Sequence, residues 1–420
     1  MIESTESIYA VVIGFLMAWA IGANDVANAM ASTVGSKILT VRMAVIIAAI
    51  FEALGAMLAS GQVTNMIRYG IVDVSNFSHT PEIFIQGMLS SLMAASSWLI
   101  VATYYGLPVS TTHTIIGSVL GFALISVGPD KIEWYNLTEI LISWVLSPIV
   151  ALLSSYAVYK IITRMILHAE DPLQQSKVYV PWLSVAVVGL FTHITIFHCL
   201  EPLGLDLSIS LKYSVFLLAS VVAYSTGLWQ VKALIYMIKR KVSEGGVLVL
   251  HEEVERLFSG LAIISAAGMA FAHGANDVAN AIGPVAAIIG FKGGQSLTSQ
   301  PSVIPFWILQ LGASGVVLGL ITYGYKIMDT VGSKITQLTP SRGFVAQFTT
   351  SAIIMIASSL GLPVSTTQTM VGAILGVGIA RGFMALNMKV IRGILISWFI
   401  TVPAGMILAM IFFLVLQGVY

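Results

Sequence analysis

Two identical polar boxes stand inside long apolar stretches of this chain. The sequence GANDVANA occupies residues 22–29 and recurs at residues 274–281. On a helix, residues three and four apart share a face, so the two asparagines and the aspartate of each box project together. These side chains are Asn24, Asp25 and Asn28 in the first box and Asn276, Asp277 and Asn280 in the second.

The two aspartates, Asp25 and Asp277, are the least expected residues of these boxes. An ionised carboxylate near the middle of a bilayer costs about 2.5–3.5 kcal/mol even on insertion scales, and such groups usually mark an ion or substrate path. The alternative is a helix-packing network in which Asn and Asp bind a neighbouring backbone. Two copies of the box favour a binding site.

A second repeated block, GLPVSTT, begins at Gly106 and again at Gly361. The glycine suits the end of a helix, and Pro108 and Pro363 fit the first turn of a new helix but cannot continue an old one. The restarted helix would present N–H groups and a positive dipole end, which bind an anion without arginine. The alternative is a proline kink whose hydroxyls bind the previous turn. The hydroxyls that would add donors are Ser110, Thr111, Thr112 and Thr114 in the first copy and Ser365, Thr366, Thr367 and Thr369 in the second.

Carboxylates beside hydroxyl-rich helix starts indicate a protonatable anion that is bound together with a cation. Phosphate keeps a proton at neutral pH and can donate it to a buried carboxylate, whereas sulfate would leave that carboxylate repelled, so phosphate is favoured. The candidate ligands of a coupling Na⁺ or H⁺ are Asp25, Asp277 and a further in-membrane acid, Glu52. Glu52 could instead pair with a polar neighbour.

Two further side chains near these blocks have weaker signals. His113 follows the first Ser-Thr-Thr, but Gln368, which cannot titrate, holds the same place in the second copy. A structural hydrogen bond is therefore favoured over a proton relay at His113. Trp144 and Trp398 are interpreted as packing residues or interface anchors.

The composition requires a membrane around these sites. Of the 420 residues, 57% are hydrophobic and 9% are charged, against about 25% charged in soluble domains. A net charge of +1 argues against a nucleic-acid partner. One cysteine, Cys199, excludes an internal disulfide and a cysteine metal cluster. Since the first ten residues lack a basic n-region, we expect the first apolar run to be a retained span.

The apolar runs predict an all-α integral membrane protein with about twelve transmembrane helices. A helix needs roughly 20 residues to cross the hydrocarbon. With the N-terminus outside, 16 of the 20 lysines and arginines fall in inner loops, so both termini are predicted outside a plasma (inner) membrane. The runs cover residues 8–30, 41–60, 82–103, 109–127, 138–160, 180–198, 213–236, 258–283, 303–325, 344–360, 362–380 and 390–418.

Near-equal offsets indicate one duplicated unit. The boxes recur after 252 residues, GLPVSTT after 255, and the tripeptide ISW of residues 142–144 after 254. The unit shifts by seven spans, an odd number, so the two halves should face opposite ways, as in many transporters. The predicted division is residues 1–160 for the first repeat, 161–257 for two connecting spans with a short inner loop, and 258–420 for the second repeat.

Taken together, these blocks resemble the inorganic phosphate transporter (PiT) family. The resemblance rests on GANDVANAMASTVGSKILT at residues 22–40, the second GANDVANA, both GLPVSTT blocks, and VGSK and TPSRGF at residues 331–334 and 339–344. It spans nearly the whole chain and implies an inverted-repeat fold with re-entrant hairpins, cation-coupled phosphate uptake, and roles for the box and Ser-Thr-Thr residues in binding phosphate and cation. The family also includes sulfate carriers, so a sulfate permease is an alternative.

Other function classes are weaker. A passive anion channel could use the same polar path, and accumulation of phosphate against its gradient would separate it from a symporter. An enzyme is not favoured because the sequence offers no nucleophile–base pair, and no Gly-x-x-x-x-Gly-Lys-Ser/Thr loop supports ATP hydrolysis. The expected partners are phosphate, the coupling cation and lipid, with no tightly bound cofactor; a homodimer is compatible with the sequence.

Overall fold

The computed structural model describes residues 5–105, 109–200, 207–243, 250–292, 304–324, 339–382 and 388–419. Within these ranges the chain is helical, and its one β-bridge joins Val72 to Ile132. The first half contains α1 (Thr5–Asn24), α2 (Val26–Gly35), α3 (Val41–Ala59), α4 (Gly61–Tyr69), α5 (Pro81–Tyr104), α6 (Thr111–Ser126) and α7 (Trp134–Ile162). The connecting part contains α8 (Pro172–Ile194), extended by a π-helical turn (Thr195–Cys199), and α9 (Ile209–Ser243). The second half contains α10 (Leu250–Lys292), α11 (Phe306–Gly319) with a π-helical turn (Leu320–Gly324), α12 (Pro340–Ser359), α13 (Thr366–Arg381) and α14 (Met388–Val419).

Nine helical segments within the described ranges are long and apolar enough to cross a membrane. The prediction of an all-α, multi-pass membrane protein is therefore confirmed, whereas the count of twelve spans is not. Three expected spans, residues 109–127, 344–360 and 362–380, correspond to α6, α12 and α13, which are not among the nine. α6 and α13 have 16 residues each, about 24 Å of helix, which is short of the hydrocarbon thickness.

Both short helices begin at a capping serine of a GLPVSTT block. Ser110 caps α6 by accepting a hydrogen bond from the His113 N–H at 3.2 Å, and Ser365 caps α13 through the Gln368 N–H at 3.3 Å. The predicted restart is thus present, but the proline was misplaced. Pro363 lies three residues before α13 instead of in its first turn, because serine is the better N-cap and takes that position; Pro108 and Gly106 lie outside the described residues.

α12 ends next to Gly361, as predicted from the glycine of the second GLPVSTT block. Leu360 closes the helix, and Gly361 adopts a left-handed φ of +73°. A residue without a Cβ tolerates this conformation, so the chain can turn into the extended segment that leads to Ser365.

The two halves pack against each other reciprocally. α1 packs on α11 and α10 on α3; likewise α6 packs on α14 and α13 on α7. At the first pair of crossings a Cβ on Gly22 would collide with the Val316 backbone, and a Cβ on Gly274 would collide with the Glu52 backbone. Each contact thus has a counterpart with the halves exchanged. The inverted orientation of the halves in the membrane, and the division at residues 160 and 257, remain predictions.

Candidate functional site

The second polar box is buried on one face of α10. This helix has 43 residues, and Asn276, Asp277 and Asn280 are fully buried on it. In the first half, Asn24 ends α1 and Asp25 stands between α1 and α2, and both are also buried. The side chain of Asn28 lies outside the described part of the chain.

The starts of α6 and α13 converge on these boxes. Thr366 donates a hydrogen bond to Asp277 Oδ2 at 2.8 Å, and Asp25 accepts one from Thr111. Asn280 Nδ2 lies 3.2 Å from Thr112 Oγ1 and 3.4 Å from Thr111 Oγ1. Two helix N-termini from different halves therefore meet at α10, bringing partial positive charge and hydroxyl groups to one buried place.

The backbone of Val364 joins the two copies of GLPVSTT to α10. Asn276 Nδ2 donates to the Val364 carbonyl at 2.7 Å, and the Val364 N–H donates back to Asn276 Oδ1 at 3.3 Å. Thr112 Oγ1 from the other half donates to the same carbonyl at 3.1 Å. One asparagine thus fixes the segment before α13 through backbone groups.

Three ionisable side chains form a compact buried cluster. One ligand atom from each of Asp25, His273 and Asp277 lies within 4.8 Å of the others. Asp25 Oδ2, Asn24 Nδ2 and Asn280 Oδ1 are buried without a hydrogen-bond partner among the described residues. Buried polar atoms are seldom left unpaired, so these atoms fit a bound ligand or ion at this place.

His273 is the functional candidate that the sequence reasoning missed. Its Nδ1 lies 2.8 Å from Glu52 Oε1, and its Nε2 lies 2.8 Å from Asp277 Oδ2. The signal was present: His273 is four residues before Asp277 and so shares its helical face. It was passed over because the repeat comparison began at Gly274, and the first half carries Ile21 at the corresponding position.

Glu52 is fully buried on α3 and contacts the site through His273. This contact matches the expectation that Glu52 pairs with a polar neighbour. Its other expected role, as a ligand of the coupling ion, stays a prediction, and the three-residue cluster does not include it.

Several predicted hydroxyls serve the helices themselves. Ser110 and Ser365 act as N-caps, and Thr114 and Thr369 donate to the carbonyls of those serines at 2.7 and 2.8 Å. The expectation that these two threonines donate to a ligand is not supported, because their hydroxyls bind the previous turn. Thr367 is buried one residue after Thr366 in the first turn of α13.

His113 at the start of α6 and Trp144 on α7 form a contact that reaches the second GLPVSTT block. Their rings lie 3.8 Å apart between centroids. The Trp144 indole N–H donates to the Pro363 carbonyl at 2.9 Å, so a first-half tryptophan holds the second GLPVSTT block. Trp144 is thus a packing residue with one directional contact, while the Trp398 side chain lies outside the described part.

A cavity of about 490 Å³ lies beside the turn at Gly361. Its walls are mixed in polarity, and the polar members include Gln62, Asn65, Asp73 and Glu133. Because Gly361 and Leu360 also line it, the cavity lies next to the segment that leads to the capped start of α13.

The chain is similar along nearly its whole length to known proteins. The model of the phosphate transporter family matches residues 21–409. A Haemophilus influenzae protein that carries the name of an inferred phosphate permease is 44% identical over 411 residues, covering 97% of this chain and 96% of that protein. The Arabidopsis thaliana protein "Inorganic phosphate transporter 2-1, chloroplastic" is 40% identical over 95% of this chain and 70% of its own length. A solved structure described as the sodium-dependent phosphate transporter superposes with a TM-score of 0.91 at 38% identity, over 99% of this chain and all of that chain.

Proposed function

Because this chain belongs to the phosphate transporter family, we propose that it is a secondary symporter that carries inorganic phosphate together with Na⁺. Phosphate transport follows from the family; sodium is proposed as the coupling cation because the solved structure it resembles is described as sodium-dependent. The observation that carries the proposal is the meeting of two capped helix starts with the two carboxylates at α10.

In this proposal phosphate binds between the starts of α6 and α13. The first-turn N–H groups of both helices donate to its oxygens. Hydroxyls such as that of Thr366, which donates to Asp277 in this structure, turn to the phosphate when it enters. The residues assigned to the phosphate site as a whole are Asn24, Asp25, Asn28, Ser110, Thr111 and Thr112 with Asn276, Asp277, Asn280, Ser365, Thr366 and Thr367. The amides of the asparagines complete the cage, and a carboxylate accepts the phosphate proton.

The coupling cation is assigned to Asp25 and Asp277. Their ligand atoms are close enough to share one ion, and Na⁺ is a hard cation that prefers oxygen. A cation between the two carboxylates lowers their mutual repulsion and that between each carboxylate and the anion. Binding of one substrate thereby favours the other, which is the requirement for symport.

Alternating access is proposed to arise from the reciprocal packing of the halves. If the halves are inverted in the membrane, exchanging their conformations opens the same central site first to one side and then to the other. The proposal keeps the predicted setting: a multi-pass protein of the plasma (inner) membrane with both termini outside.

The test is uptake of radiolabelled phosphate into proteoliposomes with Na⁺ and pH gradients imposed separately. We expect an inward Na⁺ gradient to drive accumulation above equilibrium, with little uptake when only pH differs. Equilibration without accumulation would indicate a passive channel, accumulation driven by pH alone would replace Na⁺ by H⁺, and faster uptake of sulfate than of phosphate would indicate the sulfate alternative.

A further inference from the structure

A seam between α2 and α12 leads away from the polar site, and it is lined by Ala29 and Ser32 of α2 and by Gly343 and Gln347 of α12. The Gln347 Nε2–H donates to the Ala29 carbonyl at 2.8 Å. One turn nearer the start of α12, a Cβ on Gly343 would lie 3.4 Å from the Ser32 side chain. Because Ala29 pairs with Gln347 and Ser32 faces Gly343, the two helices run antiparallel along the seam.

The seam joins the buried polar cluster to the surface of the protein. Asp25 is the residue just before α2 and is 2% exposed, whereas Gly35 at the other end of α2 is exposed. α2 has 10 residues, about 15 Å of helix. The seam therefore covers that distance between the polar site and solvent.

Two polar atoms inside the seam have no hydrogen-bond partner among the described residues. They are Ser32 Oγ and Gln347 Oε1, and both side chains are buried. Other buried serines bind the previous helical turn: Ser351 donates to the Gln347 carbonyl at 2.7 Å, and Ser118 donates one turn back at 2.8 Å. Since buried polar atoms are seldom left unpaired, the two atoms in the seam fit water or a passing ion.

These two atoms continue a row that begins at the polar site. Asp25 Oδ2 and Asn24 Nδ2 are also unpaired among the described residues. Asp25 precedes Ala29 by four residues and Ser32 follows Ala29 by three, so helical spacing puts all three positions on one face. Ions leave water at low cost only where polar groups replace it. A row of unpaired polar atoms from site to surface meets that requirement.

The α12 wall of the seam is anchored to α10 at both ends. At its start, the Ser341 N–H and hydroxyl donate to the two carboxylate oxygens of Glu255 at 2.9 and 2.8 Å. Just beyond its end, the Val364 N–H and carbonyl pair with the Asn276 side chain. Gln347 supplies a hydrogen bond that crosses the seam. Parting α2 from α12 breaks that bond and leaves α12 attached to α10.

From these observations we propose that the seam is the path by which phosphate and its coupling cation pass between the central site and water, an inference that rests on the function proposed above. The Ser32 hydroxyl and the Gln347 amide N–H donate to the phosphate oxygens, and Gln347 Oε1 binds the cation. The path ends beside Gly35 and Lys37, on the side of the membrane that the basic residues predict to be inner.

Access to the seam is measured by thiol labelling of single-cysteine variants. The background is Cys199→Ala, which removes the one cysteine of the chain. In it, Ser32→Cys should react with a charged, membrane-impermeant methanethiosulfonate about tenfold faster than Ser118→Cys, because thiol reactivity follows access. Ser118 is the matched control, since it is a fully buried serine outside the seam.

The side on which the seam opens is given by right-side-out and inside-out membrane vesicles. Arg42→Cys and Lys131→Cys mark the two faces, since both positions are exposed and the predicted topology places them on opposite sides. We expect Ser32→Cys to be labelled in the vesicles that label Arg42→Cys. Labelling should stop phosphate uptake by Ser32→Cys and leave uptake by Arg42→Cys unchanged.

A pair of substitutions at Gly343 tests the path by its width. The Cβ of Gly343→Ala would reach only ordinary contact with Ser32, so this variant should transport normally. Gly343→Leu fills the seam and should lose most uptake, while isothermal titration calorimetry in detergent with Na⁺ should still detect phosphate binding.

Three results would overturn the proposal: equal labelling of Ser32→Cys and Ser118→Cys, labelling of Ser32→Cys from the Lys131 side, or normal uptake by Gly343→Leu. Labelling does not require transport. It therefore tests the seam even where the unaltered protein carries no phosphate, a result that would overturn the proposed function by itself.

Discussion

The two crossings that tie the halves together have the same geometry and different chemistry. Where α1 meets α11, Gly22 approaches Val316 and is preceded by Ile21; where α10 meets α3, Gly274 approaches Glu52 and is preceded by His273. The first crossing packs closely with apolar residues at both of these positions. The buried His273–Glu52 pair is therefore not needed for packing, and its contact with Asp277 at 2.8 Å indicates a role in the polar site.

The largest expected effect comes from making the second crossing resemble the first. Glu52→Val alone or His273→Ile alone leaves one buried partner uncompensated, which typically costs about 3–5 kcal/mol. The double variant removes both and should recover most of that stability, because apolar replacements of a buried pair are often neutral. Thermal unfolding in detergent measures the stability, and uptake into proteoliposomes measures transport.

We expect the double variant to fold and to remain inactive. Val316→Ile, an apolar change at the other crossing, is the control and should affect transport little. Full transport by the double variant would show that the pair serves packing alone.

The next largest effect on transport is expected from replacing the two buried aspartates, with different losses at Asp25 and Asp277. Asp25→Asn and Asp277→Asn keep the side-chain volume but remove a charge, and losing a charged hydrogen bond in a buried site costs about 1.5–3 kcal/mol, roughly 10- to 150-fold in affinity. Asp277 also contacts His273 and Thr366, so its variant should lose more. Initial rates of phosphate uptake with sulfate as competitor test this, and Asp130→Asn on the exposed surface is the control. Near-normal transport in both buried variants would return the boxes to helix packing.

The smallest effect concerns Thr111 and Thr366, which occupy equivalent positions in α6 and α13. Each donates to the aspartate of its own half. Thr→Val removes one hydroxyl and keeps the shape, so each change should weaken phosphate binding by about 0.5–1.5 kcal/mol, roughly 2- to 12-fold. Titration of uptake against phosphate concentration measures the loss. A much larger loss at one of the two would show that phosphate sits asymmetrically.

The sequence predicted most accurately what is repeated. The polar boxes, the helix restarts at GLPVSTT and the convergence of both follow from duplicated blocks and from helical spacing. The sequence did not reveal His273, because it occurs in one half only. It also did not reveal the contacts of Asn276 with Val364, because these use the Val364 backbone, which is the same in every residue type.

The predicted number of spans, twelve, is larger than the nine long apolar helices in the described part of the chain because hydropathy also counted the short helices α6 and α13. Hydropathy measures how apolar a run is, but α6 and α13 are apolar because protein surrounds them, with a dozen or more buried residues on each. A buried helix and a lipid-facing helix of similar composition are therefore counted alike. Pro363 was misplaced for a related reason, since proline and serine both mark helix starts and their order along the chain decides which is used.

The one-sided pair at the second crossing also bears on how such a chain could have evolved. Two separate half-length chains paired by two-fold symmetry would present the same residues at both crossings, so one substitution would appear twice. An acid and a base at one crossing, with isoleucine and valine at the other, can be encoded only after the half has been duplicated, so that the two copies can change independently. Duplication thus made it possible for Asp25 and Asp277 to acquire different surroundings, with His273 and Glu52 beside Asp277.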